Sequence, residues 1–202
     1  MPPRMPAEDR KAEIVEALLR LADRIGPDRL TTTDIAREVG VIKAAVFRHF
    51  PTKADLWTTV GEVIAGRLET AWQDALAATS CGTDRLRALV AAQLNQIERC
   101  PALPVILHSR ELNADNAALR ERFRGLLTQY QAHLAACLED MSAEGAIAGH
   151  VAPRDAALIL VALVQGTAIR WSLGARSFPL ETEGLRLLDV QLALFAGREG
   201  PG

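Results

Sequence analysis

The chain has 202 residues, of which 49% are hydrophobic and 24% are charged, a composition that indicates a globular protein and excludes a disordered one. The formal net charge is −2, so any binding to nucleic acid must depend on locally placed cations. Residues 1–55 carry ten Lys and Arg against nine Asp and Glu, whereas the remainder carries 13 against 16.

The chain begins with a proline-rich segment, Met1 to Ala7, which predicts a mobile arm. This segment lacks the apolar stretch of a signal peptide, so we expect a cytoplasmic protein. A first helix is predicted from Glu8 to Ile25, because apolar residues recur there on one helical face and Gly26-Pro27 ends the pattern.

The stretch from Thr31 to Phe50 reads TTTDIAREVGVIKAAVFRHF and predicts two short helices. Thr31 is a good N-cap, and Asp34 stands three residues later, where its carboxylate can bond the free amide at the helix start. Gly40 allows the left-handed turn that ends the first helix. The second helix starts at about Val41 and stops before Pro51. Two short helices joined by a tight turn that contains glycine predict a helix-turn-helix.

The second short helix combines small and cationic side chains, a composition that suits a DNA-reading surface. Ala44 and Ala45 allow close approach to DNA, whereas Val46, Phe47 and Phe50 are expected to anchor the helix in the core. The same pattern fits a solvent-facing helix with scattered charges, and spacing alone does not separate the two interpretations. The candidate DNA contacts are Thr31, Thr33, Arg37, Lys43, Ala44, Ala45, Phe47, Arg48, His49 and Lys53.

The run from Ile14 to Val60, with TTTDIAREVGV, FRHF and PTKADLW, resembles the DNA-binding domain of the TetR (tetracycline-repressor) family of transcriptional regulators. The resemblance implies a three-helix DNA-binding domain followed by a six-helix regulatory core. Family members usually have serine, glycine, threonine and tyrosine where this chain has Ile42, Ala44, Ala45 and Phe47. Because Ala45 and Phe47 lack a hydroxyl for phosphate, we expect either weaker binding or more reliance on the cationic side chains and on His49.

The remainder of the chain is predicted to be helical throughout. Thr52 and Asp55 cap a fourth helix that runs to about Ala78, with Lys53 in its first turn, where it meets either a phosphate or solvent. Ser80 to Gly82 break this helix. Further helices are predicted at about 84–98, 103–113, 115–143, 154–174 and 181–197, which gives an all-α fold of about nine helices. We divide the chain into a DNA-binding domain, 1–55, and a domain for effector binding and dimerisation, 56–202.

The last two helices are predicted to form a homodimer surface, because both are apolar on more faces than a monomer can bury. The longest apolar run without charge, Ala156 to Ile169, is too short to span a bilayer, so no membrane contact is expected. Because a twofold dimer presents two reading helices, the expected partner is double-stranded DNA with a palindromic operator.

Polar and aromatic residues interrupt the apolar helices of the second domain and predict a cavity for a small apolar or aromatic effector. Each of them also fits a satisfied core position, and both interpretations stay open. The resemblance implies an effector cavity in this region without identifying the residues that line it. The candidate effector-binding residues are Trp72, His108, Tyr130, His133, Gln165 and Trp171.

No catalytic residues, cofactor or metal site are predicted. The motifs of common hydrolases, metalloproteases and nucleotide-binding enzymes are absent, and His108 with Glu111, three residues apart on one predicted helix, are too few ligands for a metal. Cys81, Cys100 and Cys137 form no CxxC motif and are expected to be reduced thiols that pack between helices, with a redox-sensing role as the alternative.

Two functions from different classes therefore fit the sequence. The first is a dimeric repressor that leaves its operator when the core binds a small molecule. The second is a DNA-bound scaffold of the same fold that acts through a protein partner without an inducer, as nucleoid-occlusion factors of this family do. A helical enzyme, the third possibility, lacks a recognisable catalytic constellation.

Overall fold

The computed structural model describes residues 6–79 and 81–197, and all the regular structure in these ranges is helical. The prediction of an all-α fold is confirmed. Residues 1–5 of the predicted arm and Ser80 of the predicted break lie outside the described residues. The helices are α1 (Ala7–Ile25), α2 (Thr32–Val39), α3 (Lys43–His49), α4 (Lys53–Ala77), α5 (Gly82–Arg99), α6 (Ala102–His108), α7 (Arg110–Asp115), α8 (Ala117–Ala143), α9 (Pro153–Leu173) and α10 (Leu180–Phe195).

The helix-turn-helix forms through the local signals that predicted it. Thr31 Oγ1 accepts a hydrogen bond from the Asp34 amide at 3.2 Å, and the Asp34 carboxylate accepts one from the Thr31 amide at 3.1 Å, which completes a capping box. The hydrogen bonds from Thr31 hold the pKa of Asp34 below its usual value. Gly40 ends α2 with φ of 74° and so turns the chain toward α3. Thr52 and Asp55 build a second capping box at the start of α4.

Helix α1 supports both short helices. It packs against α2, α3 and α6, and its inward residues Ile14 and Leu18 are fully buried. Val46 and Phe50 at the end of α3 are 1% and 4% exposed, as predicted for anchors. The prediction that Phe47 also anchors α3 was wrong, because its side chain is 40% exposed. Phe47 lies one residue beyond Val46, and consecutive residues of a helix point about 100° apart.

The single helix predicted at 103–113 is two helices, α6 and α7, so the described residues hold ten helices. Ser109 separates them with an extended backbone conformation, and its hydroxyl oxygen accepts a hydrogen bond from the Leu112 amide at 3.0 Å as the N-cap of α7. The same hydroxyl donates to the carboxylate of Asp28 in the loop after α1. Asn113 stabilises the break, because its side-chain amide donates to the carbonyl oxygens of Ile106, Leu107 and Ser109.

The described residues form two compact units. The first contains the residues up to Ala65 together with Cys100–Arg124, and the second contains Gly66–Arg99 together with the residues from Gly125 onward. Within the second unit, α10 packs against α5 and α9. Gly184 lies where α10 approaches α5, and a Cβ atom there would lie 2.3 Å from Leu94 Cδ1, so any larger residue would displace the buried Leu94 side chain. The division into domains at residue 55 remains a functional prediction.

Replacing Gly40 with alanine is expected to lower the free energy of unfolding by about 1 kcal/mol, because a side chain disfavours the left-handed conformation. The added methyl group meets no atom within 4 Å, so this penalty comes from the backbone alone. Gly66→Ala, inside α4 with equally free space, is the matched control and should stabilise the protein by up to about 1 kcal/mol. Urea unfolding of both variants at one protein concentration measures the two changes in the free energy of unfolding. If both substitutions changed it in the same direction, the left-handed turn at Gly40 would be contradicted.

Candidate DNA-binding surface and core cluster

Helix α3 presents one exposed face. Val46 holds the opposite face in the core, while Lys43, Ala44, Phe47 and Arg48 are exposed. Ala45 and His49 are half-buried at the margins of this face. The structure therefore gathers the candidate DNA contacts of α3 on and around one accessible surface, which we call the α3 face and define as Ile42, Lys43, Ala44, Phe47 and Arg48.

Phe47 lies beneath a cation. The ammonium group of Lys43 is 5.5 Å from the centre of the Phe47 ring, one helical turn away. A cation near the face of an exposed aromatic ring contributes about 0.5–1 kcal/mol. This contact favours an extended position of the Lys43 side chain along the outside of α3, where the charge stays accessible.

The α2 candidates have separate roles in the folded chain. Thr31 belongs to the capping box, whereas Thr33 is exposed. Arg37 is exposed and lies 3.6 Å from the Asp34 carboxylate. Such a surface ion pair contributes at most about 1 kcal/mol, so a phosphate can replace the carboxylate as the partner of Arg37.

The first turn of α4 is held by a residue that the sequence reasoning missed. Lys53 is exposed at the start of this helix, and the buried Asn116 lies against the same turns. The Asn116 side-chain amide donates to the Ala54 carbonyl oxygen at 3.0 Å and to Thr58 Oγ1 at 3.3 Å. Its side-chain oxygen also caps α8 by accepting from the Leu119 amide. An asparagine directly before a helical pattern is an N-cap signal, but the bonds to α4 leave no trace in the sequence.

A cluster of aromatic and polar side chains lies in the core of the second unit. The Trp72 ring of α4 stacks on the Tyr130 ring of α8 with 5.2 Å between centres, and the His133 ring lies edge-on to Trp72 at 6.1 Å. The Trp72 indole nitrogen donates to the side-chain oxygen of Gln93 on α5 at 2.9 Å. We call Trp72, Gln93, Tyr130 and His133 the core cluster.

Two polar atoms of the core cluster are buried and have no protein partner: the Tyr130 hydroxyl and His133 Nε2. Burial raises the pKa of Tyr130 far above its usual value, with a further contribution from the nearby Cys137 thiol. Burial also lowers the pKa of His133, so this imidazole is neutral near pH 7. Leaving a buried polar group unpaired costs about 1–3 kcal/mol, so a water or a polar group that bonded either atom would offset this cost.

The other predicted effector residues do not all share this environment. His108 is exposed at the end of α6, in the first unit. The prediction that His108 and Glu111 lie on one helix was wrong, because Ser109 breaks the helix between them. On α9, Gln165 is half-buried and Trp171 is 5% exposed, with the Arg176 guanidinium 5.3 Å from a Trp171 ring centre. Within residues 6–79 and 81–197, no three His, Cys, Asp or Glu side chains are close enough to hold a metal.

Large apolar side chains remain exposed on the last two helices. Leu173 of α9 is 83% exposed and Leu194 of α10 is 68% exposed, and Leu158, Ile159, Ile169 and Val190 are also exposed. Helix α9 is long and apolar enough to cross a membrane by length and composition, and 44% of its most apolar window is buried in the fold. A helix that is half-buried and apolar outside is also what a subunit interface requires.

The three cysteine thiols lie in different environments. Cys81 is exposed before the first turn of α5, where its sulfur accepts a hydrogen bond from the Asp84 amide, whereas Cys100 and Cys137 are buried. Burial raises the pKa of Cys137 and so disfavours its reactive thiolate form.

An all-helical fold with a helix-turn-helix, in which Lys43 and Arg48 are accessible on α3, is typical of DNA-binding regulators. Comparison with known families supports this assignment over most of the chain. Residues 14–59 match the model of bacterial regulatory proteins of the tetR family, and residues 82–182 match the tetracyclin repressor-like C-terminal domain. The chain belongs to the TetR family of transcriptional regulators.

Relatives and solved structures agree with this membership. The nucleoid occlusion factor SlmA of Vibrio campbellii is 30% identical over 164 residues, which cover 81% of this chain and 84% of that protein. A TetR transcription regulator of Haloarcula marismortui superposes with a TM-score of 0.77 at 24% identity, covering 93% of this chain and 98% of the other. The ketosteroid regulator KstR2 of Mycobacterium tuberculosis gives a TM-score of 0.80 at 18% identity, covering 94% and 96%. These two structural similarities establish the fold alone.

Replacing Tyr130 with phenylalanine is expected to change the free energy of unfolding by less than about 0.5 kcal/mol or to raise it, because the hydroxyl has no partner to lose. Leu134→Ala, at a fully buried position of the same helix, is the control and should cost about 2–5 kcal/mol. Urea unfolding without added ligand provides both values. A loss above about 1.5 kcal/mol in Tyr130→Phe would show that a hydrogen bond satisfies the hydroxyl.

Proposed function

We propose that this regulator is a homodimeric repressor that leaves a palindromic operator when a small apolar or aromatic molecule binds in its helical core. The observation that carries the proposal is the α3 face, in which Lys43 and Arg48 are accessible on a helix anchored by Val46. Arg48 and the exposed Lys53 supply phosphate contacts, and the exposed Thr33 and Arg37 of α2 supply further DNA contacts. The functional domains are 1–55 for DNA and 56–202 for effector and partner subunit.

The exposed apolar residues of α9 and α10 support a dimer through these two helices. Leu173 and Leu194 are more than two-thirds exposed, which is unfavourable in water and is relieved when a second subunit covers them. Two helices from each subunit then form a four-helix interface. Twofold symmetry places two α3 helices on successive turns of one DNA face, and this geometry requires a palindromic site.

The core cluster supports an effector site. A flat aromatic molecule suits the stacked Trp72 and Tyr130 rings, while the Tyr130 hydroxyl and His133 Nε2 can bond its polar group. Trp72 and Lys53 both belong to α4, so a shift of this helix on ligand binding would move a DNA contact. The effector can release the operator only if it binds the DNA-free conformation more tightly than the DNA-bound one, and this difference in affinity limits how far binding is weakened.

The proposal assigns no catalysis to the chain and places the protein in the cytoplasm with its DNA. The sequence lacks a catalytic constellation, and the family consists of regulators. The exposed apolar surface of α9 is assigned to the partner subunit and not to a membrane.

A second candidate is a DNA-bound scaffold that acts through a protein partner. The observation that favours it is the similarity to the Vibrio campbellii nucleoid occlusion factor over 81% of the chain. Chromosome-wide mapping of bound sites separates the two candidates. A repressor occupies one or a few sites beside the genes it controls, whereas a nucleoid-occlusion scaffold occupies many sites spread over the chromosome.

Selection of genomic fragments with the purified protein should recover a palindrome whose affinity falls steeply with salt. On that site, Arg48→Ala and Lys53→Ala should each lower affinity about tenfold and reduce the slope of log affinity against log salt by about two, one unit per subunit. Gel shifts over a salt series measure both quantities. Arg99→Ala, an exposed arginine at the end of α5, is the control. Unchanged binding by both variants would remove these residues from the DNA surface.

A screen of small uncharged aromatic compounds for operator release tests the effector. For a compound that releases DNA, Tyr130→Phe and His133→Gln should each weaken its effect about tenfold, because each removes one polar partner, and neither should alter operator binding without compound. His150→Gln is the matched histidine control at an exposed position. If the compound released operator DNA equally well from both variants and from the wild type, the effector would bind elsewhere. The absence of any releasing compound, together with many chromosomal sites, would favour the scaffold.

A further inference from the structure

The α3 face is unusually apolar for a surface that meets DNA. Ile42 is 74% exposed and Phe47 is 40% exposed, and Ala44 is exposed as well. Together they present methyl groups and a ring edge where hydrogen-bonding side chains would be expected. Among the side chains of this face, only those of Lys43 and Arg48 can donate a hydrogen bond to a base or a phosphate.

The major groove offers one apolar feature at the base edges, the C5 methyl group of thymine. Alanine and phenylalanine side chains contact this methyl group in known modes of recognition, whereas guanine and adenine are read by hydrogen bonds from arginine, lysine, asparagine or glutamine. A surface of isoleucine, alanine and phenylalanine therefore matches thymine better than any other base. Burial of one methyl group corresponds to about a fourfold gain in affinity.

The cations around the apolar patch fit the same occupant. Lys43 lies over the Phe47 ring, and Arg48 is exposed one position beyond Phe47. The patch is therefore flanked by positive charge, as expected for a surface that meets a phosphate-lined groove and unlike the neutral centre of a protein–protein interface. The exposed leucines of α9 and α10 are instead accompanied by further exposed apolar side chains, those of Ile159, Ile169 and Val190.

We propose that α3 reads its operator mainly through thymine methyl groups, which contact Ile42, Ala44 and Phe47, while Lys43 and Arg48 fix the depth and register of the helix. The proposal rests on the DNA-binding function described above and adds the specificity-determining residues. The operator half-site should consequently contain thymines at the positions that face α3.

Deoxyuridine substitution tests this reading, because uracil lacks the methyl group and keeps every hydrogen-bonding group of thymine. Each thymine of the recovered operator is replaced in turn, and affinity is measured by gel shift. At two or three positions per half-site, one replacement should weaken binding about fourfold, and the symmetric double replacement about fifteenfold. Thymines in the spacer between half-sites are the DNA control and should show no effect.

The Ile42→Ala variant tests whether the loss of affinity caused by deoxyuridine comes from a contact with the Ile42 side chain. In this variant the penalty for deoxyuridine should disappear at one thymine per half-site and persist at the others. Ile25→Ala, a partly exposed isoleucine at the end of α1, is the matched control and should retain the full pattern. Because both side chains are at least one-third exposed, neither change removes a core residue.

Three results would overturn the proposal. High affinity with no sensitivity to deoxyuridine at any thymine would assign specificity to hydrogen bonds or to DNA shape. Sensitivity that is the same in Ile42→Ala and in the wild type would exclude this residue as the methyl contact. Failure to recover any specific DNA would contradict sequence-specific DNA binding as such. The exposed apolar residues of the α3 face would then form a docking surface for protein.

Discussion

Helices α2 and α3 depend on their anchorage to α1, because helices of eight and seven residues are not stable alone in water. Two capping boxes and one left-handed glycine define where the chain turns, but they do not hold the segments together. The packing of Val46 and Phe50 in a core built on α1 supplies the missing stability. The α3 face is available for binding only because the opposite side of the same helix is committed to this core.

The parts of the fold that could be predicted from sequence are those determined locally. Thr31 with Asp34 and Thr52 with Asp55 act within one helical turn, so their capping boxes follow from spacing alone. The break at Ser109 could not be predicted in the same way, because its hydroxyl bonds Asp28, 81 positions earlier in the chain. The periodicity of apolar residues continues through this break and suggested one helix where there are two.

The same distinction applies to the sites. The residues of α3 were predicted from helix-turn-helix spacing, from side-chain type and from a family motif. The exposure of Phe47 depends on which side of α3 the core covers, and an aromatic residue was expected inside. In the core cluster, Trp72 and Tyr130 were predicted as single residues on separate helices. Their stacking joins positions 58 apart and follows from tertiary packing. Asn116 was missed because its cap is local but its bonds to Ala54 and Thr58 are not.

The contrast among the cysteines has a practical consequence for spectroscopy. Cys81 is exposed, whereas Cys100 and Cys137 are buried, so a thiol-reactive spin label or fluorophore will attach first at the start of α5. Cys81 lies outside the α3 face and the core cluster, and it needs no engineered mutation. A twofold assembly would carry two such labels, and the distance between them would report rearrangements of the subunits in solution without a probe on the DNA.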